Sequence, residues 1–311
     1  LEGKVHEQPS ERARQLVRGG YDLHVHVNPD VIHRRITDVQ LARRFRELGL
    51  AGFVLKSHYV PTAERAAVVR EAVPGVDALG SIVLNNAVGG LNPLAVEIAA
   101  REGARIVWLP TVDAANEAQE HAAPKPGVPL PLWARLQNGL KEKGVTIAPV
   151  PVVDDTGAPL PALRDVLRVV AAHQLVLATG HLSRDEIFAV VDAALGEGIR
   201  QIVVTHPDYP TQDLSLEDQQ TLAERGVFLE RCVAPALTGK VSWDRMFAMI
   251  RATGPSHSVI STDMGQPANP PVEDGLALIA DRLLAAGFTE AEVVTMAVTN
   301  TARLAGTSEA T

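Results

Sequence analysis

Only one cysteine, Cys232, occurs in the chain, so no intrachain disulfide can form and the fold must rest on buried apolar surface. A lone thiol fits a reducing compartment, and a cytoplasmic location is expected. Aromatic residues make up only 4%, net charge is −8, and no basic run with interleaved aromatics is present, which argues against nucleic acid as a partner. No apolar run approaches the roughly 18 residues of a membrane span, and residues 1–18 are polar and charged, unlike a secretory leader. Low-complexity tracts and breaks in composition are also missing. One domain over residues 1–311 is therefore expected, with 1–18 as an N-terminal extension and 274–311 as C-terminal helices. A small-molecule substrate is the expected partner; a homo-oligomer remains open.

What is present is a repeated alternation of short apolar runs and amphipathic stretches. Strands are expected over 21–27, 52–58, 77–84, 105–110, 175–179, 201–205, 227–232 and 258–262. Helical spacing marks 38–48, 62–72, 92–102, 132–143, 160–172, 183–195, 216–225 and 243–252, and two more helices over 274–286 and 289–304. Alternating β and α elements predict an α/β protein with a mostly parallel sheet. Eight such units in roughly 250 residues fit a closed (β/α)8 TIM barrel. An open doubly wound sheet is the runner-up, but no glycine-rich phosphate loop follows the first strand. The β-like stretch 145–153, followed by Asp154-Asp155-Thr156-Gly157, reads as an extra strand or hairpin inserted after the fourth unit. The proline-rich 122–131 reads as a surface loop near the active face.

The first strand carries Asp22-Leu23-His24-Val25-His26. Side chains alternate across a strand, so His24 and His26 share a face, with Asp22 before them on it. Two such imidazoles can grip a divalent cation or form a hydrogen-bonded core pair. The remaining runs end in or just before His58, His181, His206 and Asp263, all strong ligand types. In a barrel these strand ends meet at one mouth, where active sites are built.

At that point the chain resembles the amidohydrolase superfamily of metal-dependent hydrolases, relatives of phosphotriesterase and dihydroorotase. The resemblance is carried by His24-Val25-His26, Thr179-Gly180-His181, Val204-Thr205-His206-Pro207 and Ser261-Thr262-Asp263, in that order, and by the late Thr299-Asn300-Thr301-Ala302-Arg303-Leu304. It implies His24, His26 and Asp263 as ligands of the more buried ion. It implies His181 and His206 as ligands of a second ion, or as hydrogen-bonding partners of substrate in single-ion members. It also gives Asp263 the role of accepting the proton of the attacking water. A metal lowers the pKa of bound water from about 16 towards 7, and a neighbouring carboxylate can take the released proton.

One departure stands out. Two-metal members usually bridge the ions with a carboxylated lysine or a glutamate from strand four, where this chain reads Ile106-Val107-Trp108-Leu109-Pro110-Thr111. Strand two instead carries Lys56 and His58 on one face. Lys56, carbamylated, could supply the bridge with His58 as an additional ligand; equally, it could remain a cation that pairs with substrate or with Asp22. Tyr59 and Tyr209 follow mouth residues and could donate a phenolic hydrogen bond, and Asn85 could contact substrate after strand three. Of Glu230 and Arg231 on strand seven, one should point inward; an inward Arg231 would favour an acidic substrate. Arg34 or Arg35, after strand one, could bind an anionic group or simply be solvated.

The expected function is therefore a metal-dependent hydrolase, using one or two Zn2+ or Mn2+ ions to cleave an amide, cyclic amide or lactone. A metal-dependent decarboxylase or a phosphoester hydrolase on the same barrel is the alternative. A non-catalytic metal-binding protein is the alternative of a different class, and Asp263 argues against it, because a closed structural site has little use for a general base.

Overall fold

The computed structural model describes residues 6–120 and 130–307. Its centre is a sheet of eight parallel strands in the order β1 to β8, namely β1 Tyr21–Val25, β2 Gly52–Leu55, β3 Asp77–Val83, β4 Ala104–Trp108, β5 Val176–Ala178, β6 Ile202–Val204, β7 Phe228–Cys232 and β8 Ser258–Ser261. Past the strand ends, the Asp263 amide donates to the His24 carbonyl at 2.8 Å and the His26 amide to the Met264 carbonyl at 2.9 Å. These bonds bring β8 back to β1, so the sheet is a nearly closed (β/α)8 barrel with flanking helices, as expected.

Helices occupy the expected intervals because the sequence starts and stops them locally. The helix Asp38–Leu48 begins on a capping box made by Thr37 and Gln40 and ends on Gly49 in the left-handed region. Arg184–Gly196 and Leu216–Glu224 begin the same way, on Ser183 with Glu186 and on Ser215 with Asp218. Short helices at Glu11–Leu16, Ala115–Glu120 and Val233–Leu237 carried too little periodicity to be anticipated. No helix among the described residues is long and apolar enough to cross a membrane.

The core has an inner and an outer part. Val54, Ile106, Trp108, Val176, Phe228 and Val259 form a cluster on the inner faces of the strands. The opposite faces bury Phe53, Leu55 and Ile260 against helix residues such as Leu41, Phe45 and Leu276 on one side of the barrel, and Ile82, Val107, Leu177 and Val204 on the other.

One expectation needs correction and one is narrowed. The register of β1 against β2 shifts between Asp22 and Val25, so Leu23 and His24 together oppose Val54. Leu23 thereby joins the inner cluster, and Asp22, expected on the histidine face, instead accepts the backbone N–H of His24 at 3.2 Å and of Thr262 at 3.0 Å. The insertion after the fourth unit takes the hairpin form and not that of a ninth strand: 145–149 is irregular, Ala114 bridges Val150, and Val153 pairs antiparallel with Pro159 across the Asp154–Gly157 turn. Pro149 and Pro151 lack the N–H that a continuous ladder requires. Most of the loop expected over 122–131 lies outside the described residues.

Candidate metal centre

Five imidazoles close a circuit at the C-terminal mouth of the barrel. Ring centroids lie 5.3 Å apart for His24 and His26, 4.9 Å for His26 and His58, 6.4 Å for His58 and His181, 5.6 Å for His181 and His206, and 5.2 Å for His206 and His24. Asp263 reaches into this circuit, with Oδ1 3.1 Å from His24 Nε2 and 3.2 Å from His26 Nε2, and Oδ2 3.7 Å from His206 Nε2.

The backbone at these positions is built for the purpose. His206 and Asp263, each just past its strand, have φ of 50° and 51°, a left-handed conformation uncommon for residues with a Cβ and costing on the order of 1 kcal/mol or more. Gly180, at φ 64°, passes so close to the Leu109 and Pro110 carbonyls that a Cβ would lie 2.4 Å from either. That close approach lets the His181 amide donate to the Pro110 carbonyl at 3.0 Å.

Surrounding groups orient the rings. Glu230 Oε1 lies 3.1 Å from His24 Nδ1, which directs Nε2 towards Asp263. His58 Nδ1 sits 2.8 Å from the Thr111 hydroxyl. His181 Nδ1 lies 2.9 Å from Glu117 on the Ala115–Glu120 helix. Lys56, only 1% exposed, places Nζ 2.8 Å from His24 Nε2 and 5.0 Å from the Trp108 ring centre.

Electrostatics follow from burial. Burial first, reinforced by neighbouring His24 and His181, pushes His206 down to about 3; burial with Arg34 and Lys56 nearby holds His26 and His58 well below the usual imidazole range, which favours neutral rings. His24 is raised: burial and Lys56 act to lower it, but Glu230 and Asp263 outweigh them. Burial would raise Glu230, yet His24, His206 and Lys56 hold it at about 2. Asp263 is likewise kept far below the carboxylate range, against burial, by His24, His26 and His206. Burial lowers Lys56.

These residues fit a divalent cation. One donor atom each from His24, His26 and Asp263 lies within 4.8 Å of the others. Nε2 of His181 and Nδ1 of His206 are buried with no hydrogen-bond partner, which is costly unless another group engages those rings. A second grouping, of His24, His206, Glu230 and Cys232, also closes within 4.8 Å. Burial pushes the Cys232 thiol well up, however, disfavouring the thiolate a metal needs, and the His24 nitrogen on that side faces Glu230.

A cavity of about 470 Å³ opens onto the circuit, walled by His26, Lys56, His58, His181, His206 and Asp263 and, further out, by Arg34, Tyr209 and Lys240. Tyr209 stands at that wall, its hydroxyl 2.6 Å from Lys240 Nζ. Three other expected substrate contacts do not. Arg231 points to the helix side of β7, fully buried, donating to Asp208 and Gln219 at 2.7 Å each; Glu230 is the inward residue. Asn85 is a buried bracket, donating to the His58 carbonyl at 3.0 Å and accepting from the Thr111 amide at 2.8 Å. Tyr59 packs 6.1 Å from His58 with its hydroxyl buried and unpaired. Glu117 and the role of Glu230 escaped the sequence reading: nothing in a six-residue helix signals an inward carboxylate, and alternation on β7 left two candidate faces.

Several solved structures share this barrel's fold at low identity. An amidohydrolase from Pseudomonas aeruginosa is 12% identical with a TM-score of 0.59, covering 94% of this chain and 97% of its own. A lactonase from Listeria monocytogenes is 13% identical, TM-score 0.54, covering 93% and 95%. A phosphotriesterase homology protein from Escherichia coli, complexed with phosphate in its active site, is 14% identical, TM-score 0.55, covering 92% and 98%. These neighbours are members of the amidohydrolase superfamily, the one that the ordered motifs resemble. No curated protein matches the sequence. A family model matches residues 19–230, from β1 through the Glu230 that faces His24, and the chain accordingly belongs to the family described as "Family of unknown function (DUF6282)".

Proposed function

We propose that the protein is a metal-dependent hydrolase acting on a C–N or C–O bond at a carbonyl, in an amide, cyclic amide or lactone. The observation that carries this reading is Asp263, which touches His24 and His26 at 3.1 and 3.2 Å while remaining 21% exposed at the cavity wall. A purely structural site would bury that carboxylate completely; a partly exposed one beside a ligand cluster can exchange protons with a bound substrate.

His24, His26 and Asp263 would hold a single divalent ion, Zn2+ or Mn2+, with His181 and His206 facing substrate. When bound, such an ion supplies a Lewis acid for the carbonyl oxygen and makes water acidic enough to attack near neutral pH. Asp263 accepts the proton of the attacking water and returns it to the leaving nitrogen or oxygen. His181, whose Nε2 is buried and unpaired, faces the substrate beside the ion. Glu230 fixes the His24 ring. Lys56 is assigned an unmodified side chain, a reading supported by its Nζ lying 2.8 Å from His24 Nε2.

The test is a hydrolysis screen over lactones, cyclic amides, amides, esters and phosphoesters with the metal-loaded protein, wild type beside Asp263→Asn. Turnover of a carbonyl substrate that falls at least about a hundredfold in the variant supports the reading. A metal-loaded protein inert across the panel, or a rate untouched by the substitution, overturns it.

A further inference from the structure

The chain is acidic overall, at net −8, yet its candidate site is walled by cations. Arg34, Lys56, Arg135 and Lys240 line the cavity, and Asp263 is the acidic side chain among the described lining residues. A cleft whose charge opposes that of the molecule concentrates field lines and draws in anions.

Arg34 is built into this wall. It is 3% exposed, in the loop after β1, and Asn28 clamps its backbone from both sides, accepting from the Arg34 amide at 3.2 Å and donating to its carbonyl at 2.9 Å. Its Nε donates to Asp30 at 2.7 Å, which fixes the plane of the guanidinium. Its Nη2 lies 3.5 Å from His26 Nδ1, the outer limit of a hydrogen bond. Desolvated and held by one carboxylate at one edge, the guanidinium keeps donors for a second planar anion. Lys240 stands on the loop after β7, its ammonium held at the Tyr209 hydroxyl. Neither cation is needed for the hydrolytic steps assigned above.

We propose that the substrate carries a carboxylate remote from the bond that is cleaved, with Arg34 receiving it and Lys240 as the second contact; this deepens the hydrolase reading and rests on it. The remote anion would set specificity and place the reacting carbonyl against His181 and Asp263.

The test is calorimetric binding of three small probes to the full-length, metal-loaded protein: glutarate, its neutral diamide and inorganic phosphate. Wild type is expected to bind glutarate at least about tenfold more tightly than the diamide. Arg34→Gln should remove that preference, and Lys240→Met should reduce it severalfold, with diamide binding unchanged in both. Should Arg34→Gln fail to fold because Asp30 is left unpaired, the double variant Arg34→Gln/Asp30→Asn removes both charges and takes its place. Equal affinity for glutarate and diamide in wild type overturns the proposal. So does a glutarate affinity that survives both substitutions, since a metal ion alone would then account for it, and so does binding of phosphate without glutarate. Loss of the hydrolase reading looks different: an inert protein that still selects glutarate through Arg34 keeps the carboxylate site and loses the reaction.

Discussion

Glu230 on β7 and His24 on β1 meet across the barrel interior, carboxylate oxygen to ring nitrogen at 3.1 Å, both side chains fully or almost fully buried. The contact decides which His24 nitrogen faces the mouth, because Nδ1–H donates to Glu230 and Nε2 is turned towards Asp263 and Lys56. Replacing Glu230 by Gln keeps the shape but can leave the ring in the wrong tautomer. Zinc affinity, measured by competition with a chromophoric chelator, should fall about 10- to 100-fold, with the fold intact by circular dichroism.

Lys56 separates a one-ion from a two-ion centre. As a free amine it gives no carbamate resonance when the protein is equilibrated with isotopically labelled bicarbonate and examined by NMR. Turnover should be indifferent to added bicarbonate. A carbamate signal that appears together with a second bound ion would restore the bridging role.

Gly265 lies just after Met264, at φ 138°, where a Cβ would sit 1.6 Å from the His26 carbonyl oxygen. Gly265→Ala must therefore push the loop after β8 away from β1 at the point where the barrel closes. Stability should drop by on the order of 3 kcal/mol, read by urea unfolding, and metal affinity should fall with it because His26 moves. Unchanged urea midpoint and metal affinity would show that this close approach is dispensable.

Asp218 predicts the acid limb of stability away from the site. Its carboxylate accepts from Arg184 at 2.6 Å and from the Ser215 hydroxyl at 2.8 Å, and the Arg184 bond first, then Ser215, holds its pKa below the usual value against the opposing effect of burial. A depressed folded-state pKa stabilises the fold above the unfolded value of about 4 and loses that contribution as pH falls through the folded value. Asp218→Ala should thus cost about 1 kcal/mol at pH 7, most of it from the lost helix cap since Arg184 is solvent-exposed, and the gap to wild type should close in acid.

Much of this architecture was legible because hydrophobic alternation and helix caps are local. All eight strands fall within a residue of their expected starts, but several end early, since His26, His58, His181, His206 and Asp263 sit in the turns that follow, where irregular backbone aims them. The order of ligand-type residues exposed the candidate site for the same reason. What stayed hidden depends on long-range geometry. A bulge in β1 moved Asp22 off the histidine face. Only the barrel's closure shows that Glu230 rather than Arg231 faces His24, and only tertiary packing turns Asn85 from a substrate contact into a support for His58. Arg34 could be read as a solvated loop residue until Asn28 and Asp30 were seen to bury it.

The most direct measurement is metal stoichiometry by titration calorimetry with Zn2+ and Mn2+ on the chelator-treated protein, wild type against His26→Asn and Asp263→Asn. One tightly bound ion per chain is expected, with affinity about a hundredfold weaker in each variant. Failure of either cation to bind, or equal binding by all three proteins, would contradict it.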